Sequence, residues 1–184
     1  MSVYSATYYQ NSCDTATPAF NCDPCGPREK ARVRSAGFLK ANHVITDYTN
    51  AVQWQDAVAN NKVYVLPFVS GKVTAEPIIE KGYGDIEDQI VGFKYKAEIE
   101  DPNYAQNALF WNAIKNDKNR KFIYRTETKI HVSDTRVSIK PQAPVEDDVN
   151  KNVVWKIEIS WTQEGVCLPF DTPAGIFDSC FTPV

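Results

Sequence analysis

The chain has 184 residues, a length that supports one sizeable hydrophobic core and predicts a single domain over 1–184. Its formal net charge of -3 and pI near 5.4 exclude an overall basic field that would attract nucleic acid. No window approaches the roughly 18 apolar residues of a membrane-spanning helix. Residues 1–6 lack the basic start and the apolar segment of a secretory signal peptide, so we expect synthesis in a cytoplasm and no membrane span.

Residues 1–27 are predicted to form an extended N-terminal arm, because the segment is polar and contains three prolines. Such an arm is equally suited to dock on a neighbouring subunit or to wrap the chain's own sheet. Its aromatic residues are Tyr4, Tyr8, Tyr9 and Phe20.

Four short elements are predicted next. Thr46–Thr49 offer N-cap side chains for a helix that ends at Asn60 and Asn61. Pro67 cannot donate to a ladder, so the strand that contains it is placed at a sheet edge or at a bulge. The predicted elements are strand 31–39, helix 50–59, strand 62–69 and strand 72–79.

Residues 82–88 combine two glycines with three carboxylates. They lack the alternating oxygen ligands of an EF-hand loop and the third glycine of a nucleotide-binding loop. We interpret the segment as a flexible acidic turn that leads into a central strand.

Three runs in the second half of the chain alternate with a period of two residues, so each has one apolar and one charged face. This pattern predicts an antiparallel sheet that covers a core on one side only. The fold class expected is mainly β, an antiparallel β-sandwich or barrel with one or two short helices and extended terminal arms. The apolar positions are Val91, Phe93, Tyr95, Ala97 and Ile99 in the first run, Phe122, Tyr124, Thr126, Thr128, Ile130 and Val132 in the second, and Val153, Trp155, Ile157, Ile159 and Trp161 in the third.

The remaining segments connect these runs. A helix over 101–114 is predicted to begin at Asp101 and Pro102 and to bury Leu109, Phe110 and Ile114. A further strand is expected over 135–140. Residues 141–152 are predicted to form a long acidic hairpin connection, and 162–184 an extended C-terminal arm with exposed apolar residues.

Five cysteines lie near the two ends of the chain. The spacing of Cys22 and Cys25 occurs in zinc knuckles and in redox dithiols, and a four-thiolate zinc site that joins the termini is one interpretation. The other is that the thiols are small apolar fillers or form an opportunistic disulfide; the odd number favours reduced thiols. The sequence leaves open the redox or zinc state of Cys13, Cys22, Cys25, Cys167 and Cys180.

No arrangement typical of catalysis is present. His131 is predicted at the surface and His43 in a turn, and neither neighbours a nucleophile motif. The basic segment 28–34 is interpreted as a solvated strand face. The tryptophans are expected in the core rather than on a sugar-binding platform; they are Trp54, Trp111, Trp155 and Trp161. We therefore expect no enzyme, and we assign no catalytic, cofactor-binding or metal-binding residue.

The order of these elements resembles the tail tube proteins of long-tailed bacteriophages and the related tubes of contractile injection systems. The residues that carry the resemblance are the central strand 90–100, the helix at 107–114, the strand pair at 121–140, the acidic loop 141–152 and the closing strand 153–161.

The resemblance implies a virion protein that forms rings, usually of six subunits, which stack into a hollow tube for the passage of DNA without specific binding. Its expected partners are further copies of itself and other virion proteins. The loop 141–152 would be an inter-ring or outer contact. An acidic lumen lets DNA slide, and the candidate lumen residues are Glu98, Glu100, Glu127 and Glu158.

Two other interpretations stay open. One is a capsid decoration or head–tail connector protein. The other is a monomeric β-sandwich module that binds carbohydrate or protein. The three differ in self-association, because a tube protein polymerises, a decoration protein binds a capsid lattice and a binding module stays small. In the carboxylate pairs, Glu98 with Glu100 and Glu127 with Glu158, cross-strand pairing with lysines is the simplest interpretation.

Overall fold

The computed structural model describes residue 20, residues 25–26 and residues 28–178. Most of the predicted N-terminal arm therefore lies outside the described residues, as do Cys13, Cys22, Cys180 and the last residues of the C-terminal arm. No helix in the described ranges has the length and apolarity to span a bilayer.

The chain forms nine strands and two helices within the described residues, and all strand pairs are antiparallel. The mainly β fold class is confirmed. The elements are β1 (Ser35–Lys40), α1 (Ala51–Ala59), β2 (Val63–Leu66), β3 (Ser70–Glu80), β4 (Gln89–Asp101), α2 (Ala108–Ile114), β5 (Arg120–Arg125), β6 (Lys129–Val132), β7 (Ser138–Gln142), β8 (Trp155–Gln163) and β9 (Phe170–Asp171).

The strands build two sheets that pack face to face. One sheet has five strands in the order β2-β1-β5-β6-β9, and the other has four in the order β3-β4-β8-β7. Their inner faces share one apolar core, to which alternate residues of each strand contribute. Its buried aromatic members are Phe38, Tyr95, Trp111, Phe122, Tyr124 and Trp161.

The two sheets differ in what covers their outer faces. The four-stranded sheet presents charged residues to solvent, which confirms the expected one-sided pattern of β4 and β8. The five-stranded sheet carries a second apolar cluster on its outer face, where α1 and the segment after β9 pack. Trp54 of α1 and Phe177 meet there with ring centroids 5.3 Å apart. The expectation that only one face of each run is buried is therefore wrong for this sheet.

The run from Phe122 to Val132 is two strands rather than one. β5 and β6 pair as a hairpin, with Ile123 opposite Val132 and Arg125 opposite Ile130. The reversal at 126–128 moves Ile130 and Val132 to the outer face together with Ile123, while Phe122 and Tyr124 stay in the inter-sheet core. A period-two pattern that continues through a three-residue turn conceals this change of face.

Both helices exist, with corrections at their N-termini. α1 is capped by Asn50, whose side chain accepts from the Val52 N–H, rather than by Thr46–Thr49. α2 begins at Ala108 rather than at Asp101, which is the last residue of β4. It buries Trp111 and Ile114, whereas Leu109 is 85% exposed, so the predicted stripe is wrong at that position.

The C-terminal segment was expected to expose its apolar residues, and this is wrong for two of them. Ile176 and Phe177 are buried completely in the outer cluster of the five-stranded sheet. β9 anchors the segment by pairing Phe170 with Ile130 of β6. Residues 170–178 thus belong to the packed domain.

Candidate functional site

His131 packs beside an aromatic ring and a backbone carbonyl. His131 was predicted at the surface, but it is half-buried and stacked on Tyr124 at 4.6 Å, with Nδ1 3.3 Å from the Cys167 carbonyl oxygen. Burial lowers the pKa of His131, because the charged imidazolium loses hydration. The ring is therefore a neutral packing element at neutral pH.

The described cysteines do not form a metal site. Cys25 is exposed, whereas Cys167 is half-buried and its Sγ donates to Gln163 Oε1 at 3.3 Å. Burial raises the pKa of the Cys167 thiol to about 11, so it stays protonated and unreactive. Within residues 28–178 and the few described before them, no group of three or more His, Cys, Asp or Glu side chains is placed to hold a metal ion. The four-thiolate hypothesis depends on cysteines outside the described residues.

The four tryptophans do not form an exposed sugar-binding platform. Trp54 and Trp111 are completely buried, Trp161 is 4% exposed, and Trp155 is partly buried against the inter-sheet core. Trp155 donates its indole N–H to the Tyr104 carbonyl at 2.9 Å. Expected core placement is thus confirmed for the first three, and nearly so for Trp155.

Three of the four predicted lumen carboxylates lie together on the outer face of the four-stranded sheet. Glu98 and Glu158 are direct partners across β4 and β8, and Lys96 bridges them at 3.2 Å and 2.9 Å. Lys72 approaches Glu98 to 3.0 Å. These hydrogen bonds hold the pKa of Glu98 below its usual value, first through Lys72, and that of Glu158 through Lys96. The cross-strand pairing with lysines is confirmed here, and the face is charged but balanced.

Glu127 is not part of this face. It lies in the β5–β6 turn, where its carboxylate is 3.4 Å from Arg34 and 3.7 Å from Lys30. The sequence pattern predicts Glu127 on the same face as the others, because the pattern does not reveal the reversal between β5 and β6. The basic segment 28–34 therefore borders the five-stranded sheet at this turn.

The most unusual surface is the end of the β3–β4 hairpin. From Glu76 to Val91 nearly every residue is exposed, although the segment contains a row of apolar side chains. A β-bulge after Ile78 leaves Ile79 opposite Ile90. We call residues 76–91 the overhanging hairpin, because β3 and β4 continue here beyond the pairing of β4 with β8, which ends at Phe93. Its most exposed apolar residues are Ile79 (59%), Tyr83 (89%), Ile86 (63%) and Ile90 (60%).

The turn of this hairpin is compact. Gly84 has a positive φ of 65°, which suits glycine, and the Gly82 N–H donates to Asp88 Oδ1 at 3.2 Å. A Cβ on Gly82 would lie 1.9 Å from the Ile86 carbonyl oxygen, so the backbone closes tightly across the turn. A turn lies where the acidic turn was predicted, and its backbone atoms approach closely across it.

A second apolar surface lies at the opposite end of β3. We call it the β2–α2 cleft; it has a volume of about 500 Å³. Tyr64 packs edge-on against Phe110 at 5.8 Å, and Arg120 lies 4.9 Å from the Tyr64 ring centroid. Phe68 is 66% exposed at the rim. The lining that matters here is Tyr64, Leu66, Pro67, Phe68 and Phe110, with buried Asp101 at its base.

Comparisons with known proteins do not indicate what these surfaces bind. No family model, no curated protein and no solved structure matches this chain.

Proposed function

We propose that this chain is a structural virion protein, a self-assembling ring or tube subunit of a phage tail through which DNA passes. The resemblance in element order motivates the phage assignment. The geometry supports its physical part, which is repeated self-association through unsatisfied sheet edges and exposed apolar surface.

The observation that carries the proposal is the direction of the two edges of the four-stranded sheet. In the order β3-β4-β8-β7 each strand is antiparallel to its neighbour, so the outer strands β3 and β7 run in opposite directions. When copies are related by a rotation that preserves strand direction, β7 of one copy meets β3 of the next as an antiparallel pair. A ring of such copies continues one antiparallel sheet and removes its open edges.

Both edges are open for such a contact within the described residues. At the start of β3, Gly71 forms an isolated bridge with Val33; otherwise β3 pairs with β4 alone. β7 pairs with β8 alone. The edge of β3 is open beyond the Gly71 bridge, and an open strand edge is a site of association unless it is covered.

The outer face of this sheet would then line the tube. Its carboxylates Glu98 and Glu158 are bridged by lysines, and the chain carries a net charge of -3. Lysines of this face that are paired with carboxylates would retain DNA phosphates weakly, and Lys94 and Lys156 are the two lysines of the face without an ion pair among the described residues. The placement of Glu127 away from this face limits the proposed lumen set to Glu98, Glu100 and Glu158.

Negative-stain electron microscopy of the purified protein over a concentration series, with mass photometry on the same samples, tests the proposal. We expect rings or tubes of uniform diameter whose population rises with protein concentration. A single-chain species at every concentration would overturn the proposal and favour the monomeric binding module. Binding to a capsid lattice without self-association would instead favour the decoration protein.

A further inference from the structure

The overhanging hairpin is a protruding element with exposed apolar side chains. It joins exposed apolar residues to a strongly acidic rim, in which five carboxylates face one lysine. Isolated exposed apolar side chains are ordinary, but several on one protruding element mark an interaction surface. The charged residues of this hairpin are Glu76, Glu80, Lys81, Asp85, Glu87 and Asp88.

The β2–α2 cleft has the complementary character. Its lining is apolar, and next to Phe68 a groove continues to Arg32 and Arg34 of the basic segment 28–34. That segment contains four basic residues and one acidic residue. Arg34 is 3.4 Å from Glu127, whereas Arg32 forms no ion pair within the described residues.

The two carboxylates at the cleft do not cancel the positive charge of the basic segment beside it. Asp101 is 3% exposed, and its carboxylate accepts from the Trp111 indole N–H at 2.8 Å, the Asn107 amide at 2.7 Å and the Asn103 N–H at 2.9 Å. It is therefore fully occupied by donors. Glu100 lines the groove beside Arg32 and Arg34, which outnumber it.

The two surfaces face away from each other along the strand direction. The cleft lies where β3 begins and β4 ends, and the hairpin tip lies where β3 ends and β4 begins. β3 has 11 residues, and a strand rises about 3.3 Å per residue, so roughly 33 Å separate its two ends. The hairpin cannot reach the cleft of its own chain.

We propose that the overhanging hairpin of one copy inserts into the β2–α2 cleft of a second copy. The contact buries Ile79, Ile86 and Ile90 against Tyr64, Phe68 and Phe110, and the acidic rim meets Arg32 and the rest of the basic segment. Because the surfaces differ, the contact is head-to-tail and repeats along the strand axis. The inference rests on the proposed function, since it supplies the contact between successive rings, while the β3 and β7 edges supply the contact within a ring.

The test uses one substitution on each side of the contact. Ile86→Asp places a carboxylate where the tip enters an apolar cleft, and Phe68→Asp does the same from the rim; both positions are well exposed in the single chain. Insertion of an unpaired charge into an apolar cleft is costly. We therefore expect each substitution to weaken the affinity of the hairpin-in-cleft contact by about 100-fold or more. Val44→Asp is the matched control, because Val44 is 77% exposed and does not line the cleft.

The mixture of the two variants gives the sharpest result. Ile86→Asp retains an intact cleft, and Phe68→Asp retains an intact hairpin. We therefore expect rings of each variant to stay unstacked alone, and a mixture of the separately assembled rings to form stacks of two. Mass photometry and microscopy measure the stacks, and circular dichroism checks that each variant is folded.

A shortened chain provides the second variant. Replacement of 79–91 by Asn-Gly joins Ile78 to Gly92, which are direct partners in the ladder, and removes only exposed or half-exposed residues. We expect the sandwich to fold and stacking to be lost, and we expect stacking of the intact protein to weaken as salt concentration rises.

The outcomes separate the two proposals. If the intact protein forms stacked rings and both aspartate variants stack equally well, the hairpin-in-cleft contact is wrong and the proposed function stands. If the intact protein remains a single chain at all concentrations, both are wrong.

Discussion

At the scale of single residues, Asp101 connects the sheet to the helix that follows it. The residue ends β4, and its carboxylate accepts from Asn103, Asn107 and Trp111. The Asp-Pro pair predicted a helix start here, and the actual role is related: the side chain holds the turn that precedes α2 and satisfies the indole N–H of a completely buried tryptophan.

Asp101→Ala removes the acceptor for all three donors. We expect the free energy of unfolding to fall by about 3 kcal/mol, because a buried donor left without a partner costs about 1–3 kcal/mol. Urea denaturation followed by tryptophan fluorescence measures the change. Asp147→Ala in the exposed β7–β8 loop is the control and should stay within about 0.5 kcal/mol of the parent protein. An equal effect of both substitutions would contradict the assigned role.

Glu29 is a second carboxylate that ties distant segments together. Its Oε1 accepts from Thr126 Oγ1 and the Thr128 N–H, both at 2.6 Å, and its Oε2 from Thr128 Oγ1 at 2.7 Å. The hydrogen bond from the Thr126 hydroxyl contributes most to lowering the pKa of Glu29 to about 2 from its ordinary value of 4.5. The folded state therefore favours the deprotonated carboxylate.

Because the folded pKa lies below the unfolded one, this contribution to stability is complete above about pH 4.5 and is lost as the pH falls towards about 2. We expect Glu29→Gln to be less stable than the parent protein at neutral pH and the difference to shrink across this window. Thermal unfolding of both proteins over a pH series measures it. A difference that is independent of pH would show that the carboxylate charge plays no part.

At the scale of elements, the segment after β9 is the clearest departure from expectation. Ile176 and Phe177 close the outer cluster of the five-stranded sheet together with Trp54. The segment is rich in turn residues and has no periodic pattern, so its composition favours an exposed arm. Its burial follows from an apolar sheet face that α1, with nine residues, covers only in part.

Phe177→Ala tests whether this segment is part of the folded domain. We expect a loss of about 3–5 kcal/mol in the free energy of unfolding, because the truncation leaves a cavity between Trp54 and the sheet. Denaturant unfolding measures the loss. Leu168→Ala, at a position 59% exposed, is the matched control and should change stability little. A neutral Phe177→Ala would mean that the segment does not hold the core.

At the scale of the whole molecule, charge is distributed so that acidic and basic regions are separated. The overhanging hairpin is acidic, the segment 28–34 is basic, and the outer face of the four-stranded sheet is nearly balanced by the bridges of Lys96. A chain with a net charge of -3 and separated regions of opposite sign is suited to contacts between copies more than to binding of a polyanion.

We accordingly expect the protein to bind duplex DNA no more tightly than a weak, non-specific contact at about 0.15 M salt. Fluorescence anisotropy of a labelled duplex, titrated with the protein, measures this affinity. Lys72→Glu, which removes a cation from the outer sheet face, should leave the result unchanged. Micromolar affinity that falls steeply with salt would contradict the proposed passage of DNA without retention.

The residue pattern alone predicts the β-sandwich class, the strands β4 and β8 and the helix α1, because each of these elements has one face in a core and one in water. It also indicated the acidic turn of the overhanging hairpin. The β5–β6 reversal, the burial of Ile176 and Phe177 and the half-burial of His131 were decided by the tertiary structure, because each depends on segments distant in the chain. The cleft and the exposed apolar tip of the hairpin also depend on how distant segments of the chain pack. Ile79 and Ile90 are exposed because no described segment packs over them, and the residue pattern of a strand does not record whether another segment covers it.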